Sequence, residues 1–404
     1  MRRRKFVGLI AAGSAAVAAA VLSNRSARND RIRSAELFRI DVTAPRHFSH
    51  GSWTTRQHLL LHLRAGRHAG WSEVIATKNQ SDPDLSSWYD TVRACFGKTP
   101  REALDWLRTH AYGQWEAKRV EWLELALWDL VGRQEGTPSV RALGLTNNQP
   151  VDALFTVLDP DPASLRGKLL GARARVPGGY RTVKVKLFGD PEADRELIRT
   201  ARAVIGPDVY LIGDPNGGYQ DYSTAELTEI LIAHAVAGLN GCEDPAKPMT
   251  DAQYVELQTA VGELALIPDY PLRPTWDSLR TLRPGMGKIY NLHPKTAGSL
   301  ADGAALIGKI QNWGSRVMIG DDSYIGPAAT AWQQIACASG AVCVEALEKP
   351  EENDVFLKCI QRSATRLEAD GRVRWEPAAG FGLAVDVGQL RKAADRVVVL
   401  RPEN

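Results

Sequence analysis

The 404-residue sequence predicts an α/β protein in which a (β/α) barrel follows a smaller α+β domain. Two observations support this fold class. Beyond residue 150, short apolar strand patterns alternate with longer helical patterns, as expected for repeated βα units around a parallel sheet. The length exceeds that of one typical domain, and hydrophobic (44%) and charged (24%) residues occur at ordinary globular frequencies, which argues against a disordered or many-pass membrane protein.

Residues 1–30 have the features of an export signal and are set apart from the fold. Residues 2–5 are basic, residues 6–22 form an alanine-rich apolar run, and residues 18–20 are three alanines that suit cleavage. The paired arginines resemble a twin-arginine signal, which predicts export to a bacterial periplasm. An uncleaved membrane tether is the alternative, because the apolar run is nearly long enough to span a bilayer.

Residues 31–148 are predicted to form the α+β domain. Two strand-like patterns predict a small antiparallel sheet, at residues 38–42 and 58–63. Residues 46–55 between them are rich in His, Ser, Gly and Trp, which suits either a plain surface loop or a flap over a substrate. From residue 100 to 143, apolar residues recur at steps of three and four, which predicts packed helices and a domain boundary soon after them.

Residues 149–370 carry the pattern of the barrel. Eight strand-like segments match the number of strands in a closed (β/α) barrel. In such barrels the active site lies at the C-terminal ends of the strands, so polar side chains at those ends are the candidates for function. The predicted strands are residues 153–157, 182–187, 209–213, 238–242, 265–268, 288–292, 316–319 and 342–346.

Lys184 and Lys186 lie on the second predicted barrel strand, with one valine between them. Because side chains alternate along a strand, both lysines face the same side. A lysine beside another cation loses its proton more easily and can act as a base near neutral pH. The same spacing is common on exposed edge strands, so the pair alone does not identify a site.

Further polar residues follow Lys186 at nearly regular intervals. Successive steps of 28, 29, 26 and 26 residues, about one βα unit each, lead to Asp214, Glu243, Asp269 and Lys295. The three acids would lie at equivalent positions on neighbouring strands, where they could share Mg²⁺ or Mn²⁺. Capping of helices is the alternative role for these acids, and Asp277 is the alternative third ligand.

These motifs resemble the enolase superfamily, in its mandelate racemase and muconate lactonizing enzyme branch. The matching motifs are Lys184-Val185-Lys186, Asp214-Pro215-Asn216, Glu243-Asp244-Pro245 and Lys295-Thr296-Ala297-Gly298. The last motif resembles the Lys-Thr-Gly-Gly of epimerases, cycloisomerases and succinylbenzoate synthases, with its second glycine displaced. The Asp and His dyad of the racemases is not evident, because position 291 is Asn and the seventh strand has no histidine.

The flanking segments resemble the same family. Residues 70–73 resemble the end of its N-terminal strand, residues 125–133 its capping helix, and residues 380–386 its C-terminal return to the cap. The resemblance therefore implies a modified TIM barrel with an N-terminal α+β capping domain, completed by residues 371–404.

The resemblance also implies a reaction. Mg²⁺ on Asp214, Glu243 and Asp269 would stabilise the enediolate that forms when the carbon next to a carboxylate loses its proton. Lys186 would be the base on one face, assisted by Lys184, and Lys295 would act from the opposite face. Epimerisation, racemisation or cycloisomerisation would follow; the alternatives are acid-sugar dehydration and a non-catalytic carboxylate-binding barrel. The candidate substrate contacts are Asn216, His293, Asp322 and Glu345. A hydrogen-bonded structural role is the alternative for His293, and a helix-capping or salt-bridged role is the alternative for Glu345.

The expected partner is a small-molecule carboxylate, and the chain is expected to form a homo-oligomer. The net charge of +3 is accounted for by the basic N-terminus, which leaves no basic stripe for a phosphate backbone. Nucleic acid is therefore not an expected partner, and membrane contact is expected only through the signal segment.

Overall fold

A parallel barrel of eight strands and an antiparallel sheet beside it make up the computed structural model, which describes residues 30–80, 84–347 and 355–402. Apart from Asp30, the predicted export signal lies outside the described residues. No helix in the described ranges has the length and apolar character needed to cross a membrane.

The N-terminal sheet is a long hairpin with a third strand beside it. Its strands are β1 (Ile32–Phe48), β2 (Gly51–Ala65) and β3 (His68–Lys78). The predicted loop at residues 46–55 is largely wrong, because pairing continues until Phe48 lies opposite Gly51, and only Ser49 and His50 form the turn. Residues 43–55 are exposed or only partly buried, and they lack the alternation of apolar and polar residues that identifies a half-buried strand.

Helices cover one face of this sheet. They are α1 (Ser86–Arg93), α2 (Pro100–His110), α3 (Ala117–Glu135) and α4 (Ser139–Ala142). The sequence starts α2 with a capping box, in which the side chains of Thr99 and Glu102 each accept the other's backbone N–H. The central helix α3 packs closely on β3 at Gly70, where a Cβ atom would lie 2.1 Å from the carbonyl oxygen of Ala126.

The barrel strands confirm the predicted fold class, since all eight predicted segments form parallel strands. They are β4 (Val151–Val157), β5 (Thr182–Lys186), β6 (Tyr210–Asp214), β7 (Gly241–Glu243), β8 (Ala265–Ile267), β9 (Ile289–Leu292), β10 (Arg316–Ile319) and β11 (Cys343–Val344). They pair in the order β8-β7-β6-β5-β4-β11-β10-β9. Between β8 and β9 the Asn291 N–H donates to the Pro268 carbonyl at 2.9 Å, so the ring is nearly closed.

Helices alternate with these strands around the outside of the ring. They are α5 (Pro162–Arg175), α6 (Pro191–Ile205), α7 (Thr224–Val236), α8 (Asp251–Ala260), α9 (Thr275–Thr281), α10 (Leu300–Asn312) and α11 (Pro327–Ser339). Several begin at side chains that cap the first turn, among them Asp190 before α6 and the capping boxes of Ser223 and Thr250 before α7 and α8. Their apolar faces and the outer faces of the strands share one core.

The C-terminal segment returns from the barrel to the N-terminal sheet. It contains β12 (Ile360–Arg362), β13 (Thr365–Leu367), β14 (Arg372–Trp375), β15 (Ala384–Val385), α12 (Val387–Ala393) and β16 (Arg396–Leu400). β14 pairs antiparallel with barrel strand β4, and β16 pairs antiparallel with β1. The sheet of the cap is therefore built from residues near both ends of the described chain.

Buried acidic side chains join the cap to the loops at the C-terminal ends of the barrel strands. Glu121 of α3 accepts the backbone N–H groups of Lys295 at 2.5 Å and Gly298 at 3.2 Å. Glu73 of β3 accepts those of Ile325 at 2.8 Å and Gly326 at 2.9 Å. Because these contacts tie the cap to the end of the barrel where active sites of this architecture lie, both units can contribute residues to one site.

Candidate active site

The ends of the barrel strands and the tip of the β1–β2 hairpin enclose a cavity of about 1330 Å³. Every site residue predicted from the sequence lines this cavity: Lys184, Lys186, Asp214, Asn216, Glu243, Asp269, His293, Lys295, Asp322 and Glu345. The cap adds residues from the predicted loop at 46–55, which favours the flap over the plain surface loop. The barrel and the cap therefore share one large cavity.

Lys184 and Lys186 point into the barrel from β5, as side-chain alternation predicts. The Lys184 Nζ lies 2.6 Å from Glu345 Oε2, 3.1 Å from Glu243 Oε2 and 3.5 Å from Asp214 Oδ2. Burial lowers the pKa of Lys184, but the three carboxylates together raise it well above its usual value. Lys184 is therefore a fixed cation in this arrangement rather than a base.

Lys186 has a different set of neighbours. Its Nζ pairs with the Asp214 carboxylate and donates to Asn216 Oδ1 at 2.7 Å. Asn216 has a left-handed backbone with φ of 50°, and it also donates its N–H to Asp214 Oδ1 at 2.9 Å. The strained turn after β6 thus places both Asp214 and Asn216 beside Lys186.

The three acids predicted as metal ligands lie at or just after the ends of β6, β7 and β8, and all are buried. Burial and the nearby charges of Asp214, Asp269 and Glu345 raise the pKa of Glu243 well above its usual value, although Lys184 opposes this rise. Asn291 of β9 donates to Glu243 Oε1 at 3.0 Å and orients it. The acids therefore form a cluster whose negative charges repel one another.

The structure separates the two candidates for the third ligand. Asp269 lines the cavity, where Arg273 binds it with one contact of 3.0 Å from Nε to Oδ1. Its backbone N–H donates to Asp244 Oδ1 at 3.0 Å, which fixes the end of β8 against the end of β7. Asp277 instead lies on α9, pairs with Arg280 at 2.7 Å and has a half-exposed side chain outside the cavity. Asp269 is the acid that the fold places beside Glu243.

Within residues 30–80, 84–347 and 355–402, no three His, Cys, Asp or Glu side chains are grouped as a formed metal site. Asp214, Glu243 and Asp269 are instead contacted by the protein cations Lys184, Lys186 and Arg273. The donor set itself fits a hard divalent cation, because it offers carboxylate oxygens from three neighbouring strands. A cation held among them would also relieve the repulsion that raises the pKa of Glu243.

The other side of the cavity contains Lys295, whose Nζ lies 2.6 Å from Asp322 Oδ2. Burial raises the pKa of Asp322, but Lys295 and Lys78 together lower it well below the usual value. His293 donates from Nδ1 to the Pro294 carbonyl at 2.7 Å. Burial, together with Arg273, lowers the pKa of His293 to about 3, so this ring is neutral and serves as a hydrogen-bonding group.

Several residues of the site were not identified from the sequence. Lys78 comes from a cap strand, and no local pattern shows that this strand reaches the barrel. The sequence showed only that position 291 lacks an acid, whereas the structure shows that the Asn291 side chain donates a hydrogen bond to Glu243. Arg273 follows Asp269 by four residues, and this spacing is the one local signal that could have suggested their pairing.

A family comparison identifies this architecture. Residues 170–389, more than half of the chain, match the family described as Enolase C-terminal domain-like. The chain belongs to the enolase superfamily. Within the superfamily it falls in the mandelate racemase and muconate lactonizing enzyme branch, as the sequence motifs predict.

Two curated relatives of this enolase-superfamily chain are epimerases. A hydrophobic dipeptide epimerase of Roseobacter litoralis is 28% identical over 200 residues, which cover 48% of this chain and 56% of that protein. An L-Lys-D/L-Arg epimerase of Methylococcus capsulatus is 26% identical over 263 residues, which cover 65% of this chain and 70% of that protein. The first match thus spans little more than half the length of the relative.

A solved structure with the same architecture is the dipeptide epimerase from Cytophaga hutchinsonii, in complex with Mg and the dipeptide D-Ala-L-Val. The two chains superpose with a TM-score of 0.77 and 18% sequence identity, over 92% of this chain and 100% of the other. At this level of identity the likeness confirms the fold, namely a barrel with an N-terminal cap.

Proposed function

We propose that this protein is a Mg²⁺-dependent epimerase that removes and returns the proton on an α-carbon next to a carboxylate. One observation carries the proposal. Lys186 ends β5 and Lys295 follows β9, and these strands are four places apart in the ring of eight, which puts them across the barrel from each other. The acids at the ends of β6, β7 and β8 occupy the arc between the two lysines.

This arrangement suits a proton transfer that uses both faces of a substrate. A carboxylate held at the acid cluster has its α-carbon within the space between two lysines, so one can accept a proton while the other donates one. A Mg²⁺ ion held by Asp214, Glu243 and Asp269 would supply positive charge that makes the α-proton more acidic. The fixed ammonium of Lys184 adds a second positive charge beside the same place.

The opposed lysines favour epimerisation or racemisation over dehydration. A dehydratase needs one group to remove the proton and an acid to assist the departing hydroxyl, whereas two lysines across a barrel provide equivalent groups on both faces. The relatives include a hydrophobic dipeptide epimerase and an L-Lys-D/L-Arg epimerase. We therefore propose that the substrate is a dipeptide or another amino-acid derivative. The cavity of about 1330 Å³ has room for a dipeptide.

The proposal is tested by isotope exchange. The purified protein is incubated in D₂O with MgCl₂ and, one at a time, dipeptides and N-acylated amino acids, and ¹H NMR follows the loss of each α-proton signal. We expect exchange with at least one class and no exchange after EDTA treatment, with recovery when Mg²⁺ is added back. Absence of exchange across the panel, together with no Mg²⁺ binding by calorimetry, would contradict the proposal.

We also propose that the protein is exported by the twin-arginine route. The support is the basic segment at residues 2–5 followed by the apolar run at residues 6–22. Fusion of residues 1–30 to a folded reporter should give periplasmic reporter, and the double variant Arg3→Lys/Arg4→Lys should retain it in the cytoplasm. Export that persists in the double variant would contradict this route.

A further inference from the structure

Lys78, the last residue of β3, brings a cap side chain into the cavity. The backbone after it is fixed, because Asn79 has a φ of 54° and donates its N–H to the Thr55 carbonyl at 3.0 Å. The Asn79 side chain also accepts the N–H of Thr54 at 2.8 Å. The end of β3 is therefore held against β2, and Lys78 leaves the cap from a defined position.

The Lys78 ammonium lies between an aromatic ring and a carboxylate. Its Nζ is 3.2 Å from the centre of the Trp53 ring and 3.7 Å from Asp322 Oδ1. The other oxygen of Asp322 lies 2.6 Å from the Nζ of Lys295. One carboxylate thus stands between two ammonium groups, one supplied by the cap and the other by the barrel.

The charges of this trio differ from those around Lys184. Lys184 faces three carboxylates, whereas Lys78 and Lys295 share Asp322, so the trio carries one more positive than negative charge when both lysines are protonated. In a low-dielectric site, loss of one proton from such a trio leaves one ion pair and one neutral lysine. This loss is easier than loss of a proton from a lysine that has a carboxylate to itself. Arg56 and His293 act on the trio directly, and Glu121 and Asp322 repel each other. Arg46, Glu73 and Asp321 act in turn on Arg56.

The two lysines affect each other. Burial lowers the pKa of Lys78 to about 8, with Lys295 and Arg56 acting in the same direction and Asp322 opposing them. This is the pattern expected when like charges share too few counter-charges. The side chain of Lys78 is 29% exposed and that of Lys295 is 16% exposed, so solvent screens their repulsion only in part.

We infer that Lys78 is a positioning residue for Lys295, an inference that rests on the proposed function. Asp322 alone would hold Lys295 in its protonated form, in which it can donate a proton but cannot accept one. The ammonium of Lys78 competes for the same carboxylate and repels a second positive charge, so it offsets the hold of Asp322. The cap thereby takes part in proton transfer without touching the reacting carbon.

The electrostatic part of the inference is tested without a substrate. Protein labelled with ¹³C-lysine is titrated by NMR, and the Cε signal of Lys295 is assigned by its loss in Lys295→Arg. In Lys78→Met, which removes the charge but keeps an unbranched chain, we expect the Lys295 signal to titrate at higher pH than in the wild type. In Lys78→Arg, which keeps the charge, it should stay near the wild-type position.

The catalytic part is tested by the pH profile of α-proton exchange in D₂O, with whichever dipeptide or N-acylated amino acid the exchange panel identifies. Exchange of the stereoisomer that uses Lys295 as base should require higher pH in Lys78→Met, by the same shift as the Lys295 titration. Lys78→Arg should restore the profile, and the other stereoisomer should be unaffected. An unchanged Lys295 titration in Lys78→Met would overturn the inference. A shifted titration without exchange by the wild type would instead overturn the proposed function alone.

Discussion

The two walls of the cavity carry different balances of charge. Barrel residues supply carboxylates and lysines that contact one another, so that Lys184 alone lies within 3.5 Å of three acids. Among the described cap residues that line the cavity there is no carboxylate. These cap residues are Pro45, Arg46, His47, Phe48, His50, Trp53 and Lys78.

The difference assigns different tasks to the two walls. Acids and lysines held at the ends of barrel strands suit proton transfer, because their positions are fixed by the sheet. Cations and aromatic rings on a hairpin suit binding of an anionic or aromatic part of the substrate away from the reacting carbon. Lys78 is the exception, because it acts on Lys295 of the barrel. The following predictions test whether chemistry and binding are otherwise separated in this way.

The largest expected effect concerns the barrel wall. Asp269→Asn should weaken Mg²⁺ binding by more than about 100-fold, because it removes one of the three proposed carboxylate ligands. Asp277→Asn is the matched control, since Asp277 pairs with Arg280 outside the cavity and its loss should leave Mg²⁺ binding unchanged. Isothermal calorimetry measures both. The reverse result would identify Asp277 as the third ligand and exclude Asp269 from that role.

The junction between the walls should make stability depend on pH. Burial raises the pKa of Glu121 from 4.5 to about 8. Between these values the folded protein holds a proton that the unfolded chain lacks, so stability falls as pH rises from about 5 to 8. Glu121→Gln should reduce this fall by roughly 3.5 kcal/mol. Chemical denaturation at the two pH values measures it, and an equal fall in both proteins would show that Glu121 does not titrate in this range.

A smaller effect is expected from the side chain that orients Glu243. Asn291→Ala removes the 3.0 Å hydrogen bond to Glu243 Oε1 and should lower both Mg²⁺ affinity and α-proton exchange by about tenfold. Asn291→Asp is a useful second variant, because its new negative charge would add to the repulsion within the acid cluster. Unchanged affinity in the alanine variant would mean that the strand ends alone orient Glu243.

The smallest effect is expected on the cap wall. Trp53 stacks on Phe48 with ring centres 4.9 Å apart and carries the Lys78 ammonium on its face. Trp53→Ala should raise KM by about fivefold and change kcat less, because it removes apolar contact area rather than an acid or a base. Steady-state kinetics separates the two constants. A larger fall in kcat than rise in KM would place this residue in the chemistry.

The barrel was predictable because each βα unit repeats the same physical pattern. Strand alternation and intervals of 26 to 29 residues were enough to bring Lys186, Asp214, Glu243, Asp269 and Lys295 to one end of the ring. These features are local, since each residue needs only its own strand to be recognised. Asn291 was not predictable in the same way, because a side-chain contact between strands leaves no spacing in the sequence. The four-residue step from Asp269 to Arg273 is a local signal, but it does not by itself show that the pair lies in the site.

The cap wall was less accessible to sequence reasoning for a different reason. Residues 46–55 have the composition of a loop, and only the pairing of Phe48 with Gly51 shows that they extend a hairpin. Lys78 and Asp322 are separated by hundreds of positions, and their approach depends on how the cap docks on the barrel. Docking in turn depends on buried acids such as Glu121, which in the sequence resembles any other charged residue of a helix.

The central claim is that two lysines act on opposite faces of one substrate. Its most direct test is α-proton exchange in D₂O, measured separately for the two epimers with Lys186→Met and Lys295→Met. Each variant should lose exchange of one epimer by about 10²- to 10⁴-fold and keep exchange of the other, with the preferences reversed between the variants. Exchange of both epimers at wild-type rates in the double variant would contradict the account.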